Sequence, residues 1–166
     1  MEKNIQFEFL PITHNSAKII IPKRFRDNIW ASKIGDIQRS IENVLSTNSL
    51  IEFNFTECRW VDPLPLLSML MEMANAKKIG HEVQAIFPQG DKGSKQSENS
   101  WTYQSSPNRF LLFLAKEGVF KEILEHNISA KIGNKALDHD AIKNCEFLPA
   151  LPSYADSKFI PVKLFE

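Results

Sequence analysis

Apolar and polar positions in this chain follow two periods, and the switches between them mark its elements. Ile5, Phe7 and Phe9 alternate with Gln6 and Glu8, which is the period of a half-buried strand. Residues 11–16 are turn material. Residues 17–21 are rich in β-branched side chains, stop at Pro22 and predict a second strand in a hairpin with the first. Phe25, Ile29 and Trp30 have helical spacing, which Gly35 ends. Asp36 then stands as an N-cap before the stripe Ile37, Ile41, Val44 and Leu45, so an amphipathic helix is expected over 37–47. A strand over 50–55, a helix opened by Asp62-Pro63 and running to Ile79, a stop at Gly80 and a strand over Glu82–Phe87 come next. A strand–helix–strand unit of this length makes a parallel pair with a crossover helix.

The stretch 88–105 is polar, with glycines and serines, and buries too little to order itself; a mobile loop is expected, with Trp101 and Tyr103 at its far end. Ser106 caps the next helix and Pro107 takes its first position; Phe110, Leu111 and Leu114 form the buried face and Gly118 the stop. Val119, Phe120, Ile123 and Leu124 begin another short helix. From Ala130 the pattern weakens, and Pro149, Pro152 and Pro161 suggest extended chain. Residues 158–165 are apolar enough for an edge strand. The expected organisation is an α/β domain over 1–127 with a mixed sheet flanked by helices, then an irregular extension over 128–166 that packs on it or leads to a further domain.

Charge and composition narrow the function. Twenty basic side chains balance twenty acidic ones, so the totals carry no footprint for nucleic acid or an anionic membrane. Two cysteines, Cys58 and Cys145, suit a reduced interior better than a disulfide framework. The first residues lack the apolar core of a secretory signal, and no apolar run approaches the roughly 18 residues of a membrane helix. A cytoplasmic domain is expected.

The Asp62-Pro63 junction is the most informative local feature. Asp62 suits the positive end of the helix and is read as its cap. Pro63 and Pro65 remove two N–H groups, and a donor-poor helix start beside a carboxylate is a poor phosphate site. Leu66, Leu67, Leu70, Met73 and Ala74 are expected to face the sheet, while Leu64, Met69 and Met71 lie off that stripe. Such surplus apolar surface means an inner layer or a partner. Asp138-His139-Asp140 is a tight His/carboxylate cluster without further ligands in sequence, so no metal is assigned. Ser105-Ser106 reads as a cap, Cys58 as an inert core thiol, and Arg59 and Trp60 as the rim of the sheet. No nucleophile, paired acid or glycine-rich loop stands at the strand-to-helix turn, so neither catalysis nor a cofactor is expected.

The run Phe53-Asn54-Phe55-Thr56-Glu57-Cys58-Arg59-Trp60-Val61-Asp62-Pro63-Leu64-Pro65-Leu66-Leu67, with this order of elements, resembles the STAS domain of anti-sigma-factor antagonists. In particular it resembles the STAS-like segment ahead of histidine-kinase-type ATPase domains in bacterial regulatory proteins. Arg109-Phe110-Leu111 to Gly118-Val119-Phe120 resembles the family's closing helix, so the likeness covers about 1–127. The resemblance implies a non-enzymatic regulatory module that binds an ATPase or kinase-like protein, in the same polypeptide or in another. The family's phosphorylatable serine is Pro63 here and its glycine is Pro65, so that switch is absent; Ser68 is not the matching position. The expected partner face comprises Trp60, Asp62, Leu64, Ser68, Met69 and Met71, and self-association stays open. Two rivals stand beside it. One is a small-ligand or nucleotide-binding domain, or a small enzyme, built on the Asp62 turn. The other is a structural subunit that donates its 158–165 strand to a neighbour.

Overall fold

Period-two alternation sorts the strand residues of this α/β fold into a dry face and a wet one. Ile19, Phe53, Ala85 and Ala130 stand in register across four strands and are all buried. Lys18, Glu52, Gln84 and Ser129, one position earlier, make the opposite row; all are half-buried or exposed, and Lys18 pairs with Glu52 at 3.3 Å. The computed structural model describes residues 9–13, 16–43, 49–90 and 106–143. Its elements are β1 (Phe9–Thr13), β2 (Ser16–Ile20), β3 (Arg24–Phe25), α1 (Asp27–Asn43), β4 (Leu50–Asn54), β5 (Trp60–Val61), α2 (Pro63–Lys78) and β6 (Glu82–Phe87). The chain continues through α3 (Ser106–Lys116), α4 (Val119–Glu125), β7 (Ser129–Ile132), β8 (Lys135–Ala136) and α5 (His139–Lys143).

Among the described residues, the main sheet has six strands in the order β1-β2-β4-β6-β7-β8. The inner four are parallel, and β1 and β8 are antiparallel to their neighbours, so the sheet is mixed. The expected pair 50–55 and Glu82–Phe87 is present as β4 beside β6, with α2 between them in the chain. Helices pack on the sheet: α1 on β2, α2 on β6 and α4 on β7. At the far end of the core Phe55 stacks on Phe87 with ring centroids 5.0 Å apart, and Phe120 meets Phe87 edge-on at 5.1 Å. Gly80 (φ 104°) and Gly118 (φ 74°) end α2 and α3 in left-handed backbone that a side chain would strain. Among the described residues no helix is long and apolar enough to cross a membrane.

Four expectations are corrected. Pro11–Thr13 is strand rather than turn; β1 pairs with β2 as far as Thr13 opposite Ser16, with a register shift after Pro11. Phe25 is not helical: it sits in the short ribbon β3–β5, and its ring meets Trp30 edge-on at 5.6 Å. The spacing of Phe25 and Trp30 therefore reported a shared core position, not a shared helix. Gly35 does not break α1, which runs unbroken through it, and Asp36 is no cap. A single helical glycine costs only about 1 kcal/mol. Trp30 and Ile34 anchor the helix to the core on its N-terminal side, Lys33 pairs with Asp36 across the glycine, and Asp36 also pairs with Arg39. Finally, residues 129–143 are not irregular: β7 and β8 extend the sheet and α5 follows. The mobile loop expected over 88–105 lies outside the described residues from 91 onward, as do Trp101, Tyr103, Cys145 and 158–165.

Candidate functional site

Two strand-to-helix junctions meet at the carboxyl ends of β2 and β4. The segment leaving β2 carries Lys23, Arg24, Phe25 and Arg26 into α1, and the segment leaving β4 carries Arg59, Trp60, Val61 and Asp62 into α2. The β3–β5 ribbon ties them, Arg24 opposite Trp60 and Phe25 opposite Val61. Backbone bonds extend the tie: the Arg59 N–H donates to the Lys23 carbonyl at 2.8 Å and the Asp62 N–H to the Phe25 carbonyl at 2.9 Å.

Asp62 occupies the cap position of α2 with extended backbone, yet its side chain makes no capping bond to that helix. The cause lies in the sequence. A cap carboxylate accepts from the second or third amide of its helix, and Pro65 has removed the third. The carboxylate turns outward instead. One oxygen accepts the backbone N–H of Asp27 at 3.0 Å, and the other accepts the Trp60 indole N–H at 2.8 Å. Asp27 is the first residue of α1, so Asp62 caps a helix that starts 35 positions earlier and places its charge at the positive end of that dipole.

The buried face of α2 is Pro65, Leu66, Met69, Met73 and Ala76. Met69, expected on the partner face, is fully buried in the core, and Leu67, expected against the sheet, is exposed. Leu64, Leu67 and Met71 are 56%, 58% and 63% exposed, and Trp60, just before the helix, is 58% exposed. Their i, i+3 and i+7 spacing puts the three helical residues on one ridge. Ser68 is half-buried beside them. Of the six residues expected to meet a partner, Trp60, Leu64 and Met71 are thus exposed and apolar, Asp62 and Ser68 are half-buried and polar, and Met69 belongs to the interior.

Beside Trp60 opens a cavity of about 500 Å³ lined by Lys23, Arg24, Arg26, Arg59 and Arg109. Its apolar wall is Trp60, Val61, Phe110 and Phe113. Asp62 does not line it. Arg59 is held in place by donating to the carbonyls of Thr56 at 2.7 Å and Cys58 at 2.8 Å. Arg24, Arg26 and Arg109 were absent from the expected site. The visible sign was three cations in the four positions 23–26, immediately after a strand, which the neutral total conceals. A second cavity, of about 480 Å³, lies on the wet face of the sheet, where Lys18 and Glu52 offset each other.

Elsewhere the chemistry is structural. Burial pushes the Cys58 thiol from an ordinary 9.0 up to about 12, and its S–H faces the Trp60 carbonyl at 3.4 Å, so it offers no thiolate. Asp138 accepts the Ala141 N–H at 2.7 Å and caps α5. Among the described residues no group of His, Cys, Asp and Glu is placed to hold a metal. No family model, curated protein or solved structure matches this chain, so its own side chains carry the functional reading.

Proposed function

We propose that this chain is a non-enzymatic, STAS-like interaction module that binds a protein partner through the outer ridge of α2. The observation that carries the reading is the exposure of Trp60, Leu64, Leu67 and Met71 at one end and along one side of a single helix. Large apolar side chains gathered in this way mark interaction surfaces. The donor-poor start of α2 and the engagement of Asp62 with Asp27 and Trp60 weigh against chemistry at that turn. The partner suggested by the sequence resemblance is an ATPase or kinase-like regulator, in the same polypeptide or in another; Pro63, where that family has its phosphorylatable serine, makes the association constitutive with respect to that modification. The test is affinity capture from the native host with mass spectrometry, followed by titration of the protein recovered. Leu64→Glu and Met71→Glu are expected to leave the circular dichroism spectrum intact and to weaken binding at least tenfold, about 1.4 kcal/mol. Capture of the same proteins by wild type and both variants, or the loss of none that is ATPase or kinase-like, would overturn the reading.

A further inference from the structure

Five cations from three separate segments converge on the cavity beside Trp60: Lys23, Arg24 and Arg26 from the β2–α1 junction, Arg59 from the β4–α2 junction and Arg109 from α3. Among the described residues, no aspartate or glutamate lines it. Among the described residues, every recorded ion pair uses other side chains. The whole chain is electrically neutral, so this is a local concentration of like charge, and like charges held together repel unless an anion joins them. Four of the five are arginines, whose planar forks match the paired oxygens of phosphate. Arg59 is already oriented by two backbone carbonyls, and the Trp60 ring is pinned through its N–H to Asp62. Such groups lose little freedom when a ligand arrives.

The place and shape point the same way. The cavity opens outside the carboxyl ends of parallel strands, where α/β sheets bind their ligands. Its volume, about 500 Å³, lies within the roughly 300–1,000 Å³ of small-molecule sites. The cations surround a concavity with an aromatic wall instead of forming the stripe that would track an extended polymer. We propose that this cavity binds a small phosphorylated ligand that carries a flat ring, with its phosphates among Arg24, Arg26, Arg59 and Arg109 and its ring against Trp60. The site shares Trp60 with the partner surface, but Leu64 and Met71 do not line it, so substitutions on the α2 ridge separate the two.

Calorimetric titration of the full chain, without added divalent metal, tests this with two probes. Inorganic pyrophosphate supplies the charge alone, and adenosine diphosphate supplies it with a ring. Both are expected to bind, the second at least tenfold more tightly, with affinity falling as sodium chloride rises. Arg24→Gln and Arg109→Gln should each weaken both probes at least tenfold. Trp60→Leu should remove the advantage of adenosine diphosphate and leave pyrophosphate binding in place. Lys121→Gln, whose lysine pairs with Glu125 on α4, should change neither. Leu64→Glu should also change neither, which separates this site from the partner ridge. Arg109, exposed on α3, carries the test if the Arg24 variant does not fold. Absence of binding by both probes at millimolar concentration overturns the proposal, as does an equal loss in the Lys121 variant. Binding of an oligothymidylate or a polyglutamate peptide, sensitive to the same arginines while neither small probe binds, assigns the cations to a macromolecule and likewise overturns it.

Discussion

Asp62 shows how a single proline redirects a side chain. With Pro65 in the third position of α2, the carboxylate is left to join Asp27 and Trp60, and one residue then fastens two helix starts. Asp62→Ala removes the cap of α1 and the anchor of the indole together. The expected cost is about 1–2 kcal/mol in urea melts. Asp27→Ala, which keeps the backbone amide, should cost less; equal losses would mean that Asp62 acts otherwise than through that amide. Cys58 yields a pH prediction. Its folded thiol holds a proton up to about pH 12, whereas the unfolded thiol releases it near 9.0. Between those values the folded state binds more protons, so the thiol's contribution is complete below 9.0 and is lost as pH rises toward 12. Wild type should lose stability faster than Cys58→Ala when melts are compared from pH 8 to pH 11; parallel slopes would contradict the burial of the thiol. Residue identity made the Asp-Pro junction legible in the sequence. It did not disclose the partner of the carboxylate, because that partner is an amide 35 positions away.

At the scale of elements, the strongly periodic pieces were legible and the special ones were not. β4, α2 and β6 follow from a strand period, a helix period and a glycine stop, and all three stand where the pattern put them. The buried face of α2 lies one step out of phase with the stripe Leu66, Leu67, Leu70, Met73 and Ala74. Apolar residues occupy almost the whole circumference of its first half, so periodicity could not choose between Leu67 and Met69. β3 and β5, two residues each, are shorter than any period and are set by their pairing with each other. A glycine stops a helix where the backbone turns left-handed; Gly35 keeps helical backbone, whereas Gly80 and Gly118 have positive φ. Apart from its chain neighbours and the helix's own backbone, the nearest atom to a methyl group placed on Gly35 would be the tip of Arg39 at 4.0 Å. Gly35→Ala should therefore stabilise the protein by about 0.5–1 kcal/mol through helix propensity. A lower thermal midpoint for that variant would mean that α1 bends or opens at this position.

For the whole molecule, the weak period after Ala130 concealed real structure. β7 has only four residues, and β6 supplies the context that makes it a strand. Ile128, Ala130 and Ile132 from this segment are buried in the same core as Phe87 and Phe120. A chain cut after Asn127 would leave one side of β6 unpaired and remove those side chains, so it should lack a cooperative thermal transition and give a poorly dispersed amide spectrum. A sharp, dispersed spectrum from residues 1–127 would make the last strands an appendage. The basic cavity shows the matching limit for the site, since its cations come from positions 23–26, 59 and 109 and only the fold assembles them. The strand order has one more consequence. It increases steadily from β1 to β8, and the β3–β5 ribbon likewise joins a later strand to an earlier one. During synthesis each new strand therefore finds its neighbour already made, and the sheet can be laid down from one edge to the other at the pace of the ribosome. The cut chain just described corresponds to one stage of that process: a nascent sheet in which one edge of β6 stays open until Ser129–Ile132 has been made.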